Sequence, residues 1–156
     1  MKIIKRILVA AGTAFIALIL FAVAVDKKAE NFSDHNKDFI VTFVSDLTEF
    51  WRFSDVESMV SDQFIDQVSA TEAQSALKEF KSFGSLVAIT HLEMVDYMFF
   101  VNSKGDLGVF SVRAKFEHGD AIVQIVLESS DDTVRVQSLN IEPIFNHSSK
   151  SIASSI

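Results

Sequence analysis

At 156 residues the chain is long enough for one domain plus extra segments, since domains cluster at about 100–150 residues. It contains no cysteine, which removes disulfides, thiol nucleophiles, thiolate metal sites and a lipobox cysteine. Between Asn31 and Phe145 it carries 8 Lys/Arg against 19 Asp/Glu, and a net charge of −11 repels nucleic acid.

The N-terminal run Ile7–Val25 holds 19 residues without a charge, and about 20 apolar residues span a bilayer core as a helix. Lys2, Lys5 and Arg6 precede it and Lys27 and Lys28 follow it. The leading basic cluster places the N-terminus in the cytoplasm and the C-terminal domain outside, in the periplasm if the cell is Gram-negative. The expectation is a single-pass anchor over residues 1–28, with membrane contact through 7–25. The alternative is a cleaved signal peptide, with Ala22-Val23-Ala24 as its small-residue site and a secreted or periplasmic product. Either way the domain is exported.

Polar residues 29–33 read as a tether, and residues 34–145 as the folded domain. Phe39, Ile40, Phe43, Val44, Leu47, Phe50 and Trp51 recur at three- and four-residue spacing, the stripe of a helix starting near Ser33 or Asp34. Ser54 and Glu57 have capping-box spacing and open a second helix burying Val56, Met59, Val60, Phe64 and Val68. A third helix starts at Thr71 with Gln74 in the matching position, buries Ala73, Ala76, Leu77 and Phe80, and stops at Gly84.

Four strands come next. Leu86–Val101 is too irregular for one flat strand, so a bulge or bend is expected between Thr90 and Asp96. Leu107–Phe116 alternates, with Phe110, Val112, Ala114 and Phe116 on one face and Ser111, Arg113 and Lys115 on the other; Gly108 marks a further bend. Ala121, Val123, Ile125 and Leu127 repeat the pattern opposite Gln124 and Glu128. Thr133–Ile141 is the last strand, and Pro143, the only proline, ends its pairing. Turns lie at Asn102–Gly105, Glu117–Asp120 and Ser129–Asp132. Residues 146–156, with five serines in eleven positions, read as a disordered tail. The fold class is α+β: a transmembrane helix, then three helices packed on a bent four-stranded antiparallel meander. A sheet with one apolar face needs a cover, and 15 Phe against one Trp and one Tyr favour a dry interior.

This order of elements resembles the cystatin-like, nuclear-transport-factor-two-like superfamily over about Phe32 to Pro143. The stretch Leu77-Lys78-Glu79-Phe80-Lys81-Ser82-Phe83-Gly84-Ser85-Leu86 resembles the helix-to-strand junction of small exported domains in that group. The resemblance implies a cone between first helix and sheet, where enzymes of the superfamily use a carboxylate or histidine. It does not choose among isomerases, dehydratases, ligand binders and assembly modules.

His91 and Glu93 would share a face of a regular strand, where the carboxylate could raise the imidazole pKa for proton transfer; the blander reading puts both on the solvent face or at the bulge. Asp96, between Val95 and Tyr97, is a candidate desolvated base or simply a residue tolerated at a bulge. Trp51 could stand at the mouth of an apolar pocket or belong to the core, and Arg113 could bind an anion or face a partner. His35, His118 and His147 lack metal-ligand spacing, and no nucleotide-binding loop or Gly-x-Ser-x-Gly turn is present. No catalytic set, metal or cofactor is assigned. The leading reading is a non-enzymatic, bilayer-anchored exported module that binds a protein partner or itself. The alternative is a small apolar-ligand binder or isomerase-like enzyme using the cone, with Trp51, His91, Asp96, Tyr97 and Arg113 as ligand-site candidates.

Overall fold

The computed structural model describes residues 2–99, 105–130 and 133–145, with side chains from residue 24 onward. The chain divides into two compact units, residues 1–37 and 38–156. Helix α1 (Lys2–Phe50) accounts for the described part of the first unit and continues into the second. The polar stretch 29–33, expected as a tether, is therefore helical. The reason lies in propensity: Lys27, Lys28, Ala29 and Glu30 are good helix formers, and no glycine or proline occurs between Gly12 and Gly84. Polarity there marks exposed positions such as Glu30 and Asn31 beside the buried Phe32, and not a break. Most of the apolar run 7–25 lies outside the residues whose side chains are described. Among the described residues, no helix is long and apolar enough to cross a membrane.

In the second unit, β1 (Leu86–Met98), β2 (Asp106–Phe116), β3 (Gly119–Ser130) and β4 (Thr133–Ile144) form an antiparallel meander in the order β1-β2-β3-β4. The α+β class and the four-stranded meander stand as expected. Phe110, Val112, Ala114, Ala121, Val123, Ile125 and Leu127 are completely buried, as are Ile40, Phe43, Val44 and Leu47 of α1. At about 25 cal/mol per Å² of apolar surface, this two-sided core is the main favourable term of the fold. Phe50 departs from the expected stripe: it is exposed, with the Arg52 guanidinium 4.8 Å above its ring.

β1 bends where expected, with register shifts at Ile89/His91 and Met94/Asp96, and a third shift at Leu86/Ala88. No shift falls at Gly108, which pairs in register with both Tyr97 and Leu127. Pro143 does not end β4: it pairs with Ala121, and pairing continues to Ile144. β4 is an edge strand, and an edge tolerates a residue without an N–H. The turn residues 102–104 and 131–132 and the tail 146–156 lie outside the described residues.

The expected second helix is replaced by two 3₁₀ turns, Phe53–Asp55 and Glu57–Met59, and a short α2 (Asp62–Gln67). Val60 is extended and forms a parallel bridge with Val136, and the Ser61 N–H donates to the Val136 carbonyl at 2.9 Å. Pairing with the β4 edge thus overrides the local helical pattern. Ser61 then caps α2, accepting from the Phe64 N–H at 3.1 Å. Helix α3 (Ala70–Phe80) begins just before the expected start, on a complete capping box of Ser69 and Glu72. Ala73 and Leu77 are buried as expected, whereas Ala76 is exposed.

Candidate functional site

One end of the domain is knitted together by aromatic rings. After α1, Trp51 adopts φ +53°, a left-handed conformation that costs a non-glycine residue about 1–2 kcal/mol. Such a conformation persists where the surroundings over-determine it. The Trp51 ring stacks on Phe80 at 5.8 Å and tilts against Phe116 at 5.3 Å, and Phe83 meets both Phe80 and Phe116. Its indole N–H donates to the Gly84 carbonyl at 3.0 Å, and its own carbonyl accepts from Gln74 Nε2 at 3.0 Å. Gln74 Oε1 also accepts from the Phe53 N–H at 2.9 Å, so one amide clamps both sides of the turn after α1. Gly84, at φ +77°, carries the chain into β1, where the Phe83 and Ser85 carbonyls accept from His118 and Glu117 of the β2–β3 turn. Trp51 is only 3% exposed, a packed member of this cluster.

The other candidates scatter over the sheet. The pairing registers define rows across its outer face, one running His91, Arg113, Ile122, Glu142 and the next Glu93, Ser111, Gln124, Asn140. His91 Nε2 lies 3.2 Å from Glu93 Oε2, with both side chains more than half exposed, at 59% and 55%. Both side chains face solvent, and His91 follows the register shift at Ile89. Arg113 is exposed on the same face, one row from Lys115 and Asp120. A third row, Asp96, Val109, Val126, Ser138, places two half-buried valines at its centre. Asp96 is exposed, and its carboxylate accepts from the Tyr97 N–H at 2.8 Å.

Tyr97 belongs to the opposite, inner face, in a row with Gly108 and Leu127. Its hydroxyl donates to Asp106 Oδ2 at 3.0 Å. Burial, then the hydrogen bond and the negative charge of Asp106, hold the phenol well above its ordinary pKa. A phenol so held keeps its proton and acts as a hydrogen-bond donor, not as a base. Asp106 is not singled out by sequence, because partnership across a hairpin depends on register. The structure therefore brings His91, Glu93 and Arg113 together on one face, places Asp96 beyond them on that face, and sets Tyr97 and Trp51 elsewhere. Among the described residues, no group of three His, Asp or Glu side chains could hold a metal ion.

A feature that sequence reasoning misses is an apolar groove of about 320 Å³ between α2, α3 and β4. Phe64, Val68, Leu77 and Phe80 line one side, and the consecutive residues Gln137–Ile141 line the other. Its size is at the lower end of small-ligand sites. The signal is present in part, since the half-buried Leu139 and Ile141 sit on the inner face of a strand expected to end at Ile141. What sequence does not reveal is that α2 and α3 leave this edge uncovered.

No protein-family model, no curated protein and no solved structure matches the chain.

Proposed function

We propose that residues 34–145 are a non-enzymatic interaction module, held at the cytoplasmic membrane through 7–25 with the folded domain outside. On this reading the module binds a protein partner, or a second copy, through the outer face of the sheet. The observation that carries it is the composition of that face: half-buried Val109 and Val126 lie between the row of Glu93, Ser111, Gln124 and Asn140 on one side and the row of Met98, Leu107, Glu128 and Arg135 on the other, with His91, Arg113, Lys115 and Glu142 beyond the first. An apolar centre with a polar rim is the anatomy of a transient protein interface. The uncharged run Ile7–Val25 supports the anchor, and the order of helices and meander is compatible with the cystatin-like, nuclear-transport-factor-two-like plan.

The test uses the full chain in the producing cell. A photo-cross-linking residue at Ser111 is expected to give a discrete adduct, heteromeric or homomeric, that a probe at exposed Ser75 of α3 does not give. Joint Arg113→Glu and Lys115→Glu substitution should reduce that adduct about tenfold, the equivalent of roughly 1.4 kcal/mol. Equal labelling at both positions, or indifference to the charge reversal, rejects this face. The anchor is checked separately: the native chain should stay with membranes through an alkaline wash, and a chain lacking residues 1–25 should not.

A further inference from the structure

The groove over the β4 edge lies apart from the outer sheet face and asks for an occupant of its own. Its β4 wall consists of five consecutive residues, Gln137 to Ile141. Side chains alternate between the faces of a strand, so a wall made of consecutive residues is the strand's edge rather than one of its faces. That edge is already used once, by Val60 at Val136, with the Ser61 N–H on the Val136 carbonyl. Beyond that bridge, from Ser138 to Ile144, β4 has no backbone partner on its outer side among the described residues. An edge with free amides and carbonyls beside an apolar trough suits an extended peptide: the backbone pairs with the edge, and alternate side chains enter the trough.

We propose that the chain's own C-terminal segment, residues 146–156, fills this groove as an added strand antiparallel to β4. The segment starts where β4 stops, one residue after Phe145. Asn146-His147 can form a tight two-residue turn, because asparagine tolerates the left-handed backbone such turns need. With that turn, Ser148 falls opposite Phe145 and Ile152 opposite Ile141. Ile152, Ser154 and Ile156 then share the groove-facing side with Ile141 and Leu139. Length agrees: the path back from Ile144 to Gln137 is about 23 Å, and the segment extends to about 36 Å at about 3.3 Å per residue. Charge agrees as well, because the segment's one side-chain formal charge is Lys150, against a domain of net −11. The trough offers the segment's two isoleucines, Ile152 and Ile156, an apolar surface on which to be buried.

The experiment is hydrogen exchange on the full chain in detergent micelles, compared with an Ile152→Asp/Ile156→Asp variant and with a chain ending at Phe145. Amides of Ser138–Glu142 that point away from β3 should exchange at least tenfold faster in both altered chains. Amides of β2 and β3 should not change, which controls for loss of the fold. Equal β4 rates in all three proteins overturn the proposal, because another group then covers the edge or none does. Protection that disappears when the native chain is diluted tenfold overturns it too, since the occupant is then supplied by a second copy.

Discussion

The two central strands and the two edge strands of the sheet obey different rules. β2 and β3 pair residue for residue from Asp106 opposite Ser129 to Phe116 opposite Gly119, without a shift. β1 slips three times against β2, and β4 once against β3. In the centre, a slip of one residue would turn Phe110, Val112, Val123 and Ile125 from a sealed core to solvent, so the register is held by the whole hydrophobic term. An edge strand has a neighbour on one side only and can absorb an extra residue at the cost of local pairing. The features with functional interest track that freedom. His91, Glu93 and Asp96 sit on the bulged β1, and the apolar groove lies against β4.

The sharpest way to break this contrast is a proline in each place. Val123→Pro should unfold the domain, by about 4 kcal/mol or more, because it removes a ladder hydrogen bond and strains both neighbouring strands. Pro143→Ala at the edge should change stability by less than ~0.5 kcal/mol. Urea midpoints of the two variants measure the difference, and similar losses would mean that β4 is as constrained as β3. A smaller effect is expected from truncating side chains. Phe110→Ala opens a cavity in the completely buried core and should cost about 3–5 kcal/mol, whereas Val95→Ala, at a bulged position 55% exposed, should stay within ~0.5 kcal/mol.

The smallest effect concerns the rim where the edge and central strands meet, at Tyr97 and Asp106. The phenol pKa is raised in the folded chain, so the folded state holds that proton more tightly than the unfolded chain, whose phenol titrates at about 10. The stabilisation is complete below about pH 10 and is lost as pH rises through the folded value. Stability should therefore fall from about pH 10 upward in the native protein and fall less in Tyr97→Phe. Tyr97 is the only tyrosine, so the difference between the two profiles isolates it. Identical alkaline profiles would show that Asp106 does not hold the phenol.

The legibility of the chain divides along the same line. Alternation alone places Phe110, Val112, Ala114 and Phe116 on the buried face of β2, and places β3 likewise, because period two has a single solution when one face is sealed. The conflict of two phases in β1 locates its bulges, and the three- and four-residue spacing of Ile40, Phe43, Val44 and Leu47 locates the buried face of α1. Where two local signals compete, the weaker one misleads. Ser69-Ala70-Thr71-Glu72 is the capping box that forms, and Gln74, expected in a cap, is instead the clamp on Trp51 and Phe53. What composition and periodicity determine by themselves is therefore the α+β class, the strand faces and the uncharged N-terminal run. Tertiary structure alone decides that Val60 leaves a helical pattern to pair with β4, that Trp51 takes a left-handed turn in place of a glycine, and that an apolar trough opens beside an unpaired edge. Each of those depends on a partner far away in sequence, whose contribution to the energy exists only once the chain has folded around it.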